Sequence, residues 1–262
     1  MTNKSILIIV IFGATFSQST FANAETVTNP IKGGITSLEL VANLLSGKIS
    51  TKYNPLDQET FGKLSSDLIS IGVQKTSPLI TSFNKGDFAL SVNVERDQLA
   101  HSDYWKKYTG IEEQSIVVPA IGISYGVTKE TLANLTYKQY KTDGARLIGG
   151  TLRNSFSISS FPLQTSIGIS HSRLMNSAPL RLETTSIDLV GSYTPNSLKP
   201  YAGIGITHGK TEFQSTENMK FSGNFIKAFS GFEYFYKYLL ISTEVGLSGT
   251  QSYQNLTFTY LF

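Results

Sequence analysis

Three histidines are the residues of this sequence best suited to proton transfer, and two of them stand beside hydroxyl groups. They are His101, His171 and His208; a serine follows each of the first two, and an aspartate comes next after the first serine. Serine, imidazole and carboxylate together can produce a nucleophilic hydroxyl. Adjacent residues of a strand point to opposite sides of its sheet, so a His-Ser pair in a strand cannot make that contact within itself. We therefore predict no catalytic site.

A second set of residues carries charge on the polar side of segments whose other side is apolar. The set consists of Glu95, Lys138, Arg153, Asp188 and Glu244, to which Lys227 and Glu233 are added. Its four acids and three bases nearly cancel. Inside a barrel, such charges could line a pore that selects ions or polar solutes. Buried charges must be paired, however, so a salt-bridge network that fills a narrow interior is the favoured interpretation.

Composition excludes several other classes of protein. The chain has 262 residues, no cysteine and 16% charged residues, and its 22 Lys+Arg against 19 Asp+Glu give a net charge of +3. Without cysteine there is no disulfide scaffold and no cysteine-ligated metal site, and we predict neither a metal nor a cofactor. The net charge is too small to indicate a nucleic-acid binder. No apolar run approaches the roughly 18 to 20 residues of a membrane-spanning helix.

Residues 1–24 have the pattern of a secretory signal peptide. Lys4 supplies the positive start, Ile6–Ala14 forms a short apolar stretch, and Ala22-Asn23-Ala24 fits a small-x-small cleavage site. We therefore predict export, with cleavage after Ala24.

From about residue 87 onward the hydrophobic period is two, which predicts ten strands. In most of them, large apolar residues alternate with Gly, Ser, Thr, Asn or a charge, and the predicted connections alternate between short and long. Both features are typical of a transmembrane antiparallel up-and-down β-barrel, with apolar residues facing lipid and polar residues facing the lumen. Residues 87–262 form this predicted all-β barrel.

Residues 25–86 are predicted to add two further strands. Leu38–Leu44 and Ile69–Val73 each alternate, and a single extra strand would break the even strand count that both termini on one side require. The main prediction is therefore twelve strands. The alternative is ten strands, preceded by a periplasmic or lumen-filling segment.

The C-terminal residues resemble the assembly signal of bacterial outer-membrane β-barrel proteins. Aromatic or apolar residues occupy every second position up to the last: Leu256, Phe258, Tyr260 and Phe262. Tyr125-Gly126-Val127-Thr128 is similar to a periplasmic turn of such barrels, whereas Gln254 departs from the longest form of the signal. The resemblance implies a Gram-negative outer membrane, a monomer, periplasmic chaperones and the outer-membrane barrel assembly machinery. Twelve strands would also resemble an autotransporter barrel without its passenger.

The predicted function is that of a non-enzymatic surface barrel whose long loops serve envelope stability, adhesion or contact with a host or phage. A narrow channel for small polar solutes is the alternative, and a lipid-modifying hydrolase using His171 or His208 ranks third. The predicted partners are outer-membrane lipid and lipopolysaccharide, the latter in reach of Lys106 and Lys107. Trp105 and several tyrosines near strand ends are predicted to form interfacial girdles.

Overall fold

A closed antiparallel barrel of ten strands makes up the part of the chain that the structure, a computed structural model, describes. The described residues are 57–75, 83–109, 113–139, 146–158, 162–175, 180–194, 197–213 and 219–262. The strands are β1 Phe88–Gln98, β2 Ser115–Gly126, β3 Thr131–Gln139, β4 Arg146–Ile158, β5 Leu163–Met175, β6 Leu180–Tyr193, β7 Leu198–Phe213, β8 Met219–Tyr236, β9 Leu239–Ser248 and β10 Gln251–Leu261. Each pairs with its neighbour in sequence, and β1 pairs with β10 to close the barrel.

The two faces of the strands have opposite polarity, because their side chains alternate between the outside and the lumen. Large apolar residues project outward: Val92, Ile121, Ile187 and Ile226 are 54%, 57%, 56% and 73% exposed. Serine, threonine and charged residues project inward and are buried. An apolar outer wall around a polar interior is stable in a lipid bilayer, not in water. The predicted all-β antiparallel up-and-down barrel is thus confirmed, and among the described residues it closes with ten strands, the stated alternative, not with the twelve of the main prediction.

The two ends of the barrel differ in their connections. Both barrel termini lie at one end, where the Phe262 amide donates to the Phe88 carbonyl at 2.9 Å. This end also carries the short connection between β2 and β3, in which the Val127 amide donates to the Thr131 carbonyl, and we call it the turn end. The opposite, loop end carries the long connection between β1 and β2, which contains helix α2, Ser102–Thr109. A leading helix is labelled α1, Gln58–Gly72.

Helix α1 corrects the prediction of a strand at Ile69–Val73. Phe61, Leu64, Leu68 and Ile71 recur every three or four residues and are all buried, which is the period of a helix. Asp57 caps the first turn by accepting a hydrogen bond from the Thr60 amide at 2.7 Å. That bond holds the pKa of the Asp57 carboxyl below its usual value.

Two other sequence predictions fall outside the described residues, namely the signal peptide at 1–24 and the strand at 38–44. Among the described residues, no helix is long and apolar enough to cross a membrane.

Candidate functional site in the barrel lumen

Helix α1 lies inside the loop end of the barrel. It packs against the inner faces of β5, β6, β7 and β8. At its first residue, Gln58 Nε2 donates to the Lys220 carbonyl at the start of β8; at its last, the Gly72 carbonyl accepts from Ser172 Oγ of β5 at 2.6 Å. The helix therefore begins at the rim of the loop end and leads the chain into the lumen.

One inner-wall position shows how closely α1 is fitted. Gly209 on β7 faces Ile69, and a Cβ atom at 209 would collide with the Ile69 side chain. The helix belongs to an apolar cluster that spans the lumen and includes Leu147 and Leu182 from the wall and Trp105 from α2. This cluster is the apolar layer of the loop end.

Asp67 of α1 fixes helix α2 over the mouth. Its Oδ2 accepts from the His101 amide at 3.1 Å and from Trp105 Nε1 at 2.8 Å, while its Oδ1 lies 2.8 Å from His101 Nδ1. Asp67 and Trp105 are both fully buried. The prediction that Trp105 belongs to an interfacial girdle is therefore wrong, because its indole points into the barrel and donates to a buried carboxylate.

A charged layer follows below α1, where residues 73–75 continue the chain. The Lys75 ammonium is paired with the Asp97 carboxylate and lies 3.9 Å from Glu95 Oε2. Lys138 Nζ of β3 lies 2.8 Å from the same Glu95 carboxylate. The Lys75 carbonyl accepts from Asn255 Nδ2 at 2.7 Å. The N-terminal segment is thus joined to β1 and β10 by both its side chain and its backbone.

The same layer continues on the opposite wall. Lys227 Nζ donates to the Gln74 carbonyl at 3.1 Å and to Asp188 Oδ2 at 3.3 Å. A strand lysine therefore also holds the N-terminal segment in place.

Two further charges are bonded to uncharged wall residues. Glu244 accepts from the Tyr253 hydroxyl at 2.7 Å and from the Tyr201 hydroxyl at 3.2 Å. Arg153 Nη1 donates to Ser166 Oγ at 3.0 Å. These bonds offset part of the cost of burying the charged groups.

An apolar group lies inside the turn end of the barrel. Phe83 lies just before β1 and packs with Ala89, Leu132 and Leu240, each the second residue of its strand. Described residues thus occupy the lumen with apolar clusters near both ends and charged groups beside and between them; Lys138, for example, pairs in register with Leu147 of the loop-end cluster.

The structure brings together the residues predicted to line the lumen. Glu95, Lys138, Arg153, Asp188 and Glu244 all face inward and are at most 4% exposed, and the added Lys227 and Glu233 are buried with them. Sequence reasoning missed two members, Lys75 and Asp97. Asp97 continues the inward set of β1 at Asn93 and Glu95, so the strand period could have found it; Lys75 follows a helix and has no such signal.

The three histidines do not contact one another, although His171 and His208 lie in one outward row with Thr185 between them. His171 Nδ1 lies 3.0 Å from Thr185 Oγ1, and His208 Nδ1 lies 2.8 Å from Asn224 Oδ1, both on the outer wall. His101 contacts Asp67 at the mouth. In the described part of the chain, no group of three or more histidine, aspartate or glutamate side chains is placed to hold a metal ion.

The outward residues of β10, followed by Phe262, end the barrel wall at the turn end. Leu256, Phe258, Tyr260 and Phe262 are 38%, 44%, 49% and 67% exposed. The Tyr260 ring contacts the rings of Phe262 and Tyr238, which forms an aromatic patch at this end. The position suits the aromatic belt of a membrane interface.

The fold and its occupied lumen define a membrane-spanning β-barrel that is filled by its own N-terminal segment. Among solved structures it is similar to Ail, the attachment invasion locus protein of Yersinia pestis, at 12% identity over 68% of this chain and 99% of that one, with a TM-score of 0.33. It is also similar to the N-terminal β-barrel domain of Pseudomonas aeruginosa OprF (12% identity, 69% and 100% covered, TM-score 0.32). A third similar structure is the KdgM porin in complex with disordered oligogalacturonate (10% identity, 66% and 99% covered, TM-score 0.38). At these values the likeness carries no inference about activity or ligand.

No protein-family model matches the chain, and no curated protein matches it.

Proposed function

We propose that this protein is a non-enzymatic barrel of the Gram-negative outer membrane that does not conduct, and that it presents its loop end at the cell surface for adhesion or envelope stability. The observation that carries the proposal is the occupation of the lumen by α1 and residues 73–75. A channel for polar solutes needs a hydrated path lined by polar groups from end to end. Here apolar clusters occupy part of that path near both ends.

The pairing of the central charges supports the same function. Lys75, Lys138 and Lys227 each contact a carboxylate, and each is buried. Charges removed from water stabilise a structure only when they are paired and hydrogen-bonded. Lys75 and Lys227 therefore join the N-terminal segment to the wall, while Lys138 pairs with Glu95 within the wall.

The connections support an orientation with the turn end in the periplasm, since short turns are periplasmic in outer-membrane barrels. The mouth with α1 and α2 then faces outside. The terminal strand with Phe262 would deliver the chain to the assembly machinery, after periplasmic chaperones have carried it there.

The separation of the three histidines supports a non-enzymatic role.

Single-channel recording in a planar bilayer tests the proposal. The refolded full chain, shown to be heat-modifiable on gels, is expected to give a silent bilayer. A variant that lacks residues 57–75 is expected to give conductance steps, because both the loop-end helix and Lys75 are then missing. Reproducible steps from the full chain would overturn the proposal and favour the narrow channel.

A further inference from the structure

The outer wall of β5–β8 changes from apolar to polar along a single row of paired residues. The last apolar row consists of Ile169, Ile187, Ile206 and Ile226, paired in register across the four strands. The next outward row toward the loop end consists of His171, Thr185, His208 and Asn224. The isoleucine row therefore marks the upper edge of the lipid-facing band on this side.

These strands continue well past that edge. β7 has 16 residues and β8 has 18, whereas a membrane-spanning strand needs about 9–11. Strand β5 ends only at Met175 and β6 begins at Leu180, so both also extend past the isoleucine row. The extension presents outward side chains above the apolar band.

Four of these side chains form what we call the cationic belt: Arg173, Arg181, Lys210 and Lys220. Glu183 and Glu212 lie among them, with Arg173 Nε 3.3 Å from Glu183 Oε1 and Lys220 Nζ 3.5 Å from Glu212 Oε1. Four cations against two acids leave a surplus of two positive charges. The side chains of Arg173, Arg181 and Lys220 are each more than half exposed.

The height of the belt places it at the level of lipid headgroups. Arg173 and Lys210 lie four residues beyond Ile169 and Ile206, or about 13 Å along strands that rise about 3.3 Å per residue. With a strand tilt near 40°, this is about 10 Å above the apolar edge. Side chains that point away from the barrel at this level meet the lipid of the outer leaflet.

The opposite wall lacks such a surface. On the outward faces of β1, β2, β3, β9 and β10, Arg96 is the one charged residue among those described. Its guanidinium Nε donates to Ser115 Oγ at 3.2 Å. Between the two walls, β4 carries one outward charge, Arg146, beside Met175 of β5. The outward charge above the apolar band is therefore concentrated on β4–β8, which a general need for solubility does not explain.

We propose that the cationic belt binds the phosphate groups of lipopolysaccharide on the β5–β8 side of the barrel. Arginine guanidinium groups match the geometry of phosphate oxygens and form paired, charge-assisted hydrogen bonds with them. Glu183 and Glu212 lie beside three of the cations and offset two of the four positive charges, so that a surplus of two remains. The proposal rests on the outer-membrane location but is independent of whether the lumen is sealed.

Binding to purified lipopolysaccharide tests this site. The fluorescently labelled, refolded full chain in detergent is titrated with lipopolysaccharide and with the same glycolipid after chemical removal of its phosphates. The test variant is Arg173→Gln with Lys210→Gln, and Arg96→Gln on the opposite wall is the matched control. Each variant is first shown to be heat-modifiable.

The double variant is expected to bind intact lipopolysaccharide about tenfold more weakly than the unmodified chain, because two charge-assisted contacts are lost. The control is expected to bind intact lipopolysaccharide like the unmodified chain. The dephosphorylated glycolipid is expected to bind the double variant and the unmodified chain equally weakly. Inorganic phosphate at the same phosphate concentration should not compete. Equal affinity of the double variant and the unmodified chain, or an equal loss in the control, would overturn the proposal. If the double variant does not fold, Arg181→Gln with Lys220→Gln decides by the same criterion.

Discussion

Lys75 is the residue whose replacement should most directly release the N-terminal segment from the lumen. Its ammonium is fully buried and paired with Asp97, and no solvent is available to take over that pairing. Lys75→Met keeps most of the length of the side chain and removes the charge, which leaves the Asp97 carboxylate buried without its cation. Removing one partner of a buried pair costs about 3–5 kcal/mol.

A cost of that size raises the population of the undocked segment by about two to three and a half orders of magnitude, since about 1.4 kcal/mol corresponds to a factor of ten. The assay is single-channel recording together with the melting temperature of the refolded barrel. Lys75→Met is expected to show transient conductance steps and a lower melting temperature, whereas Lys129→Met, in an exposed turn, should show neither.

A second substitution separates lost pairing from general damage. Adding Asp97→Asn to Lys75→Met removes the orphaned charge, and replacing both members of a buried pair is often nearly neutral. The double variant should therefore recover much of the stability, while Glu95 keeps Lys138 at 2.8 Å in either case. A Lys75→Met barrel that shows no conductance steps and an unchanged melting temperature would refute the role of Lys75 in holding the N-terminal segment. A double variant as unstable as the single one would also refute it.

Two further predictions concern the mouth of the barrel. Asp67→Ala should release α2. Because Trp105 is the chain's one tryptophan and is buried against Asp67, its fluorescence should then shift to the red, whereas Asp103→Ala, at an exposed position, should leave the spectrum unchanged. An unshifted spectrum for Asp67→Ala would contradict the contact between Asp67 and Trp105. Since the chain has no cysteine, Gln58→Cys should react with a membrane-impermeant maleimide on intact cells, whereas Lys129→Cys should react only after the outer membrane is permeabilised. The reverse labelling pattern would mean that the loop end faces the periplasm.

The strands were predictable because period two and residue polarity act together along most of them. In β6, Ile187 and Leu189 face lipid while Ser186 and Asp188 face the lumen, so one short segment already defines both walls. The segment at 225–235, whose two faces separate poorly in the sequence, is part of the longest strand, β8.

Helix α1 was not predictable in the same way, because Ile69, Ile71 and Val73 fit a strand as well as a helix. The deciding signal lies further back, where Phe61 and Leu64 continue a helical spacing and Asp57 provides a cap. Short apolar runs are ambiguous between strand and helix when read alone. The inward face of β1 predicts that Glu95 is buried, but no sequence period shows that Lys75 reaches it, since that contact depends on a helix entering the barrel.

The two walls of the barrel divide its charges between two roles. On the inner wall, cations such as Lys138 and Lys227 contact carboxylates and are buried, so their replacement should affect stability and sealing. On the outer wall, Arg173 and Lys210 belong to a set with more cations than acids and remain exposed, so their replacement should affect lipid binding and leave the lumen closed. Exposed ion pairs contribute little to stability, about 0–1 kcal/mol, and stability therefore does not account for the outer set. A surplus of positive charge at headgroup level on one side of the barrel is accounted for by a negatively charged lipid on that side.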